Sequence, residues 1–570
     1  MLKSIAEKSI ARYLIFGVPI ASSFVWASGT TDPVNVTKLF IVGGVGGATG
    51  LLALTFFWGH IWKNFRNMAI SVLVFQLAMV NALFFGQGPF LQSFYGAYGR
   101  QTGFVTYFFL SLILISSLTI ENLYFSKNLI KGLLGVGALN IVYCGWVLAF
   151  GDFLPWNNVY RSILGLFGNP DFISAFLGIF IVVCASIVLD SETNIKTKSI
   201  LGLTSSIAFY EILKSHAIQG IVVTAGGITL VIFFWIRSKF QSNLLPALYG
   251  LSASTFGVLA VLGTLQIGPF SFIYKRSVSL RGSYWRAGLG MGEKFPTSGV
   301  GLDGYGDFYR QTRPPAALID TPGIQVVSNV SHNVFIDFFA SGGWPLGISY
   351  ILINIVVIRS IISHALRVRK YDFVFVSLAT GWICYTVQSI ISINQIGLAI
   401  WGWVFAGALL GYTRKSKDIV NSNALTNKGL KGNTKNPSQF SSIFTPQLIA
   451  GVGCLLGLIF CYPPLGSDIK WKSALDSRSL AMVEQSLDET FYNPVPSSRF
   501  TAVYQIFANS NLPEKALEYM RIAVRNNPNY FEGWRALYLM PASTQAEKNL
   551  AAKNLKRLDP RNPNVLSTTP

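Results

Sequence analysis

Proton transfer near neutral pH falls to four imidazoles in this chain, His60, His216, His332 and His364, since histidine is the side chain whose ordinary pKa, about 6.5, lies in that range. His332 stands in Ser331-His332-Asn333, where a long polar segment meets the apolar run Val334-Phe335-Ile336-Asp337-Phe338-Phe339. A neutral imidazole there can accept a proton as a general base, cap the following helix or touch a lipid headgroup. A second set of residues carries fixed positive charge: Arg100, Arg161, Lys214, Lys275, Arg276, Arg281, Arg286, Lys294, Arg310 and Arg313. Guanidinium pairs with phosphate through two parallel hydrogen bonds and keeps its proton, so several such groups gathered together suit a diphosphate. Singly, each could instead be a loop ion pair or a contact to lipid phosphate. Arg281 and Arg286 flank Tyr284-Trp285 on an expected short helix opening at Ser283, of the interfacial kind that lies at headgroup depth. Glu211, one turn before Lys214, could pair with it.

What must position these residues is a set of apolar helices. The 570-residue sequence is 51% hydrophobic and only 12% charged, about half the usual charged share, which excludes a soluble globular enzyme, a disordered chain and a fibrous repeat. Windows of about 19 residues give thirteen candidate spans, near 12–28, 37–59, 68–86, 104–120, 129–150, 171–189, 198–213, 217–236, 244–268, 341–363, 372–393, 396–411 and 446–463. The expected fold class is therefore all-α, a polytopic transmembrane bundle. The basic N-terminus resembles a signal peptide, but Ala21-Ser22-Ser23 is a weak cleavage site and the segment reads as a first span.

The formal charge of +20 reads as topology, because a nucleic-acid partner would need a basic face on a soluble domain. With a cytoplasmic N-terminus every even-numbered connection is basic: Lys63 and Arg66, Lys127 and Lys131, Lys196 and Lys198, Arg237 and Lys239, and Arg359, Arg367, Arg369 and Lys370. This orientation makes His60 and His364 idle cytoplasmic residues and puts the 269–331 loop outside. The cations in the opening paragraph are the exceptions on that outer side. Lys38, at the mouth of the second span, reads as a snorkelling side chain. Gly43, Gly44, Gly46, Gly47 and Gly50 could form a binding motif, but close helix packing is the simpler account. The five cysteines are scattered along apolar runs, with neither metal-ligand spacing nor a disulfide framework.

The domains read as 1–411, membrane; 412–445, a cytoplasmic linker; 446–463, the last span; and 464–570, an outer helical region. In that region Ala516-x3-Met520-x2-Ala523-x4-Pro528 resembles the second helix of a tetratricopeptide repeat, and Pro560 follows 32 residues after Pro528, with Lys548 and Leu555 in place of the alanines. Either a repeat surface for a protein or glycan partner or a small helical cap on the membrane domain fits this pattern.

Ser331-His332-Asn333-Val334-Phe335 followed by Gly342-Gly343-Trp344-Pro345-Leu346-Gly347 resembles the signature of the O-antigen ligase and polymerase superfamily of membrane glycosyltransferases. Phe167-Gly168-Asn169-Pro170-Asp171-Phe172, the Arg281 to Trp285-Arg286 stretch and Phe295-Pro296-Thr297-Ser298-Gly299-Val300-Gly301-Leu302 agree in order. The similarity covers roughly residues 70–412. It implies a GT-C-like bundle of about 12–13 spans in the bacterial cytoplasmic membrane. Such an enzyme transfers a glycan from an undecaprenyl-diphosphate carrier to an acceptor hydroxyl on the outer face, with inversion and without cofactor or metal. It also implies that His332 is the catalytic base, with Asn333 beside it, and that Arg281, Arg286, Arg161, Lys214, Arg100 and Arg276 are the diphosphate-binding set. The family often has an arginine after serine where Ser215-His216 stands, so His216 with Lys214 could serve the same phosphate, and often an acidic residue where Ser341 stands. For Asn169-Pro170 the structural account is an N-cap followed by the first helical residue.

Ligase, polymerase and protein-glycosylating enzymes share these motifs, so the acceptor, whether lipid, polysaccharide or protein, stays open. Outside the superfamily the rival is a transporter of an anionic solute. Such a protein should show mid-membrane ionisable residues and related halves, and neither stands out in the sequence. A scaffold acting through the C-terminal repeat would leave the outer cations without a role.

Overall fold

The computed structural model describes residues 1–273, 276–319, 323–423 and 444–568, with the side chains of 273, 276–279, 417–423 and 444 outside the described set. Among the described residues every extended regular element is a helix. The first ten are α1 (Leu2–Ser23), α2 (Asn35–Asn64), α3 (Arg66–Phe85), α4 (Phe90–Tyr95), α5 (Phe104–Ser117), α6 (Leu123–Phe150), α7 (Pro170–Val188), α8 (Ile195–Lys214), α9 (Ile218–Lys239) and α10 (Leu244–Thr264). The large loop carries α11 (Arg276–Lys294), α12 (Tyr305–Thr312) and α13 (Ala316–Ile319), and the bundle resumes with α14 (Val334–Arg367), α15 (Phe373–Ile390), α16 (Ile396–Asn423) and α17 (Phe444–Ser477). Beyond these lie α18 (Leu480–Ser486), α19 (Ser497–Asn509), α20 (Pro513–Asn526), α21 (Phe531–Leu539), α22 (Gln545–Leu558) and α23 (Pro563–Leu566).

Each of the thirteen apolar windows falls on a helix, and ten helices, α2, α3, α6, α7, α9, α10 and α14 to α17, are long and apolar enough to cross a membrane. The chain is thus a multi-pass helical membrane protein. The other three fall short for visible reasons. The 14 residues of α5 reach only about 21 Å at 1.5 Å each, against a hydrocarbon core of about 30 Å, and nearly all of them are buried inside protein. Lys3, Glu7, Lys8 and Arg12 dilute α1, and Lys196, Lys198, Glu211 and Lys214 dilute α8.

Helix starts follow local rules. Asn169 caps α7 through the Asp171 amide with Pro170 at the first helical position, and Asn122, Asn194 and Asp372 cap α6, α8 and α15 in the same way. The glycine string of α2 is a packing surface: a Cβ on Gly47 would stand 2.1 Å from the Gly453 carbonyl oxygen, and one on Gly457 would stand 1.8 Å from that of Gly43, so α2 and α17 touch backbone to backbone.

Alternate connections gather at opposite ends of the bundle. At one end His60 meets Glu121, Asn122 donates to Glu7, and Arg369 donates to carbonyls at Arg237, Phe240 and Ser242. At the other, Asn35 donates to Gly99 O, Arg100 to Asn329 O and Asn529 to Gln87 O. Lys38 corrects its sequence reading. Instead of snorkelling it is 0% exposed, gives its ammonium protons to the Ser22 and Leu166 carbonyls, and lies 5.1 Å from the Phe167 ring centroid. Two carbonyls otherwise without donors make burial tolerable and tie the turn before Asn169 to the end of α1.

The large loop has a core of its own, built from Tyr284, Ala287, Met291, Val300, Tyr305, Phe308 and Tyr309 with Ala340 of α14. It docks where α14 kinks. Gly343 has φ of +64°, and a Cβ there would meet Pro296 O at 2.2 Å. Across the break Val300 N donates to Ala340 O (2.9 Å), Gly301 N to Ser341 O (3.0 Å) and Trp344 N to Pro296 O (2.9 Å). The Phe295–Leu302 and Gly342–Gly347 motifs are therefore one structural unit.

The C-terminal helices form a further core, α19 packing on α20 and α21 on α22, with Ala516, Met520 and Ala523 inside. They are locked to the rest by buried charges. Asp468 accepts hydrogen bonds from Thr31 N, Asp32 N and Tyr98 and pairs with Arg499 (3.1 Å), while Asp559 receives Arg313 at 2.9 and 2.7 Å, both side chains 0% exposed.

Candidate functional site

His332 is held in an uncommon backbone state. Its φ is +57°, a region that a non-glycine residue keeps only when its surroundings over-determine it. Here they do. The Ser331 hydroxyl accepts from Asn333 N (3.1 Å) and donates to Asn333 O (2.8 Å), Ser331 N donates to Asp337 Oδ1 (2.8 Å), and Asn333 Oδ1 caps α14 by accepting from Phe335 N (3.0 Å) and Ile336 N (3.2 Å). Asn333 and Ser331 thus spend their polar groups on the loop, leaving the imidazole to be presented. The ring stacks on Tyr284 of α11, centroids 5.6 Å apart with planes 29° apart. Among the described residues no group hydrogen-bonds either ring nitrogen. Burial first, then the charges of Arg281 and Arg100, lowers its pKa to about 4, so the ring is neutral at physiological pH.

Arg281 lies one turn before Tyr284 on α11 and is half-buried. Burial pulls its pKa below the ordinary guanidinium value, and the negative charge of Asp171, at the start of α7, pushes it back. Among the described residues Arg281 makes neither a hydrogen bond nor an ion pair within 4.0 Å. The Asn169-Pro170-Asp171 motif, the α11 motif and Ser331-His332-Asn333 therefore converge, although they are about 110 and 50 residues apart in order.

The other candidate cations divide among different roles. Arg100 pairs with Asp303 (3.3 Å) and donates to Asn329 O (2.7 Å), so its charge reaches His332 while two of its nitrogens are already engaged elsewhere. Arg286 is exposed, donates to Gly282 O (3.3 Å) and sits five residues beyond Arg281, about 140° around the helix. Arg161 and His216 are exposed with φ of +51° and +59°, and Lys214 is exposed over the Tyr210 ring. Ser162 donates to Ser215 O (3.0 Å) and Asn169 to the Tyr160 hydroxyl (3.0 Å), joining this second neighbourhood to Asp171 and so to Arg281. Lys275 and the side chain of Arg276 lie outside the described residues. Lys294 donates to Gln311. Arg310 pairs with Glu532 (2.9 Å) and covers the Phe531 ring at 4.0 Å; with Arg313 it belongs to the C-terminal docking surface, where each finds a carboxylate. The Glu211–Lys214 pair does not form: Glu211 turns inward, 1% exposed, with neither carboxylate oxygen bonded.

Sequence reasoning missed Asp303. Its carboxylate accepts from Ala97 N, Thr102 N and Thr102 Oγ1 besides Arg100, fastening the 96–102 turn to the large loop. A Gly301-Leu302-Asp303-Gly304 turn signal was visible; its four partners were not. Beside His332 opens a cavity of about 750 Å³, lined by the 89–101 segment, α12, residues 327–332 and the C-terminal residues 489–500 and 526–532. Among the described residues no three His, Cys, Asp or Glu side chains gather as a metal site. No protein-family model matches the sequence, and a search of the curated proteins returns no match.

Proposed function

We propose that the protein is a membrane glycosyltransferase of the O-antigen ligase and polymerase kind, moving a glycan from an undecaprenyl-diphosphate carrier to an acceptor hydroxyl at the outer face of a bacterial cytoplasmic membrane. Lipid, polysaccharide and protein acceptors all suit this chemistry, and the C-terminal helices are read as a tetratricopeptide-like region on the same side. The observation that carries the proposal is the convergence of a neutral His332 and a half-buried Arg281, neither of which is hydrogen-bonded through its side chain among the described residues.

His332 takes the proton of the acceptor hydroxyl as its oxygen attacks the anomeric carbon. The bond from that carbon to the diphosphate oxygen breaks, the oxygen keeps the electron pair, and the configuration inverts. Arg281 stabilises the departing charge, with Arg161 and Lys214 nearest along the chain of contacts through Asn169; a fixed guanidinium in a desolvated site needs no rearrangement to do so. Donor binding also tunes the base, because a diphosphate beside Arg281 offsets one of the positive charges that hold the imidazole pKa at about 4. The proton then leaves from the imidazolium to solvent or product diphosphate.

The test is transfer from a lipid-diphosphate glycan by purified protein in lipid. His332→Ala should lose at least about 100-fold in kcat, and Arg281→Ala should weaken donor use with normal membrane insertion. Wild-type rates in His332→Ala would end the proposal.

A further inference from the structure

The lipid-facing stripe of α6 runs on past the end of the helix. Val142, Trp146 and Phe150 are exposed and recur every four residues, so they share one face. Phe153 of the following loop is also exposed and extends the stripe, its ring 6.3 Å from that of Trp146. The last turn of α8 packs alongside: a Cβ on Gly145 would stand 3.7 Å from Glu211 Oε1, and Tyr210 and Leu213 are exposed there. Leu166 O takes the Lys38 ammonium, one turn from Asn35, which donates to Gly99 O, so this corner belongs to the end of the bundle that carries His332.

Two cations stand above the stripe. Ser162 Oγ lies 3.5 Å from Lys214 O and donates to Ser215 O (3.0 Å), which brings the backbones of Arg161 and Lys214 side by side. Asn158 fixes the turn, donating to Ser162 O (2.7 Å) and accepting from Tyr160 N (3.2 Å), and Arg161 is held at φ of +51°. Lys214 lies 5.4 Å from the Tyr210 ring centroid. Both cations are exposed, and among the described residues neither makes an ion pair within 4.0 Å. The carboxylates of the same segments are spent or turned away: Asp152 accepts from Tyr143, Leu154 N and Trp156, and Glu211 points inward. Nor do these cations act on the His332 site. The charges felt by the imidazole are those of Arg281 and Arg100, and the groups acting on Arg281 are Asp171 and Tyr284.

Any lipid tail could cover the apolar stripe, but unpaired positive charge directly above it selects an anionic head. We infer that this corner binds an anionic phospholipid of the surrounding bilayer, its phosphate between Arg161 and Lys214 and an acyl chain along Val142, Trp146 and Phe150. Arginine offers the phosphate two parallel hydrogen bonds and lysine a point charge. Two cations of the implied diphosphate set thereby belong to the bilayer instead of the leaving group. The lipid also braces the 158–162 turn, whose Tyr160 hydroxyl holds Asn169, the cap of α7. Lipid binding does not depend on the transferase reading.

Native mass spectrometry of the full chain tests this, with phosphatidylglycerol, phosphatidylcholine and undecaprenyl diphosphate as probes. Wild type should retain phosphatidylglycerol over phosphatidylcholine, and Arg161→Ala or Lys214→Ala should each weaken it about fivefold, as expected for one cation at a headgroup. The double variant should lose the preference while holding undecaprenyl diphosphate as wild type does. Exchanging the two cations, Arg161→Lys with Lys214→Arg, should restore the preference, which separates charge from folding. In nanodiscs, amide exchange across 158–169 should be slower with phosphatidylglycerol than with phosphatidylcholine, and the difference should vanish in the double variant. Unchanged phosphatidylglycerol retention in the double variant overturns the inference. So does undecaprenyl diphosphate weakening as much as phosphatidylglycerol, which would give the cations to the carrier, or exchange that is equal in both lipids, which would place the lipid elsewhere. A protein that keeps the lipid preference but transfers no glycan upholds this site and counts only against the transferase reading.

Discussion

Tyr284 and His332 stack with centroids 5.6 Å apart and planes 29° apart, and no hydrogen bond from the described residues orients the imidazole. Packing therefore does the work that a carboxylate performs in many histidine-dependent sites. Tyr284→Ala should lower kcat about 10- to 100-fold, the range expected when a catalytic group drifts by about 1 Å. Tyr284→Phe should stay near wild type, since the ring and not the hydroxyl makes the contact. Comparison of the two kcat values checks the claim.

The pH dependence follows from a lowered pKa. His332 titrates at about 4 in the empty site, so the neutral base is present above that value and lost as pH falls through it. The acid limb of kcat/KM, which reports the free enzyme, should therefore lie well below 6. The acid limb of kcat should sit higher, because bound diphosphate opposes the charge of Arg281. The same sign applies to folding: the preference for a neutral ring is complete above about 6.5 and disappears as pH drops through about 4. Two coincident limbs near 6.5 would contradict the burial and charge argument.

Arg313 and Asp559 form a fully buried ion pair between α12 and the C-terminal helices. Removing Arg313 leaves Asp559 with only the longer Arg310 contact (3.6 Å) and the Asn562 amide, so the loss should approach the about 3–5 kcal/mol of a broken buried pair without reaching a fully stranded charge. Arg313→Leu should speed protease cleavage of the segment beyond α17 and lower the melting temperature. Replacing both residues, Arg313→Leu with Asp559→Leu, should recover much of that loss.

Gly457 approaches Gly43 so closely that a Cβ would stand 1.8 Å from the carbonyl oxygen. Gly457→Ala should push α17 away from α2, with a penalty of at least about 1–3 kcal/mol from overpacking. Gly451, with nothing within 4 Å of its would-be Cβ, should accept alanine without loss. Thermal unfolding of the two variants in detergent makes the comparison.

Much of the architecture was legible before any coordinates. Every apolar window became a helix, Asn169-Pro170 became a cap and first turn, and the glycines of α2 became a packing face. These are local properties: a run of apolar side chains, an amide one residue before a proline and the lack of a Cβ act over a few residues, so order in sequence suffices to read them. The convergence of three motifs on His332 was legible only as a resemblance.

Charge partners were not legible, because a charged side chain shows its sign in sequence but not its distance from anything. Arg310 and Arg313 looked like Arg281 on paper; the fold sends the first two to carboxylates more than 200 residues away and leaves the third, among the described residues, without an ion pair within 4.0 Å, only under the longer-range charge of Asp171. It also buried Lys38 against two carbonyls and turned Glu211 away from Lys214. Residue types alone established an all-helical membrane chain and a short list of groups able to move a proton or hold an anion. Tertiary structure decided which of those groups stay free, since Coulomb and hydrogen-bond energies depend on separations of a few ångströms that chain order leaves unspecified.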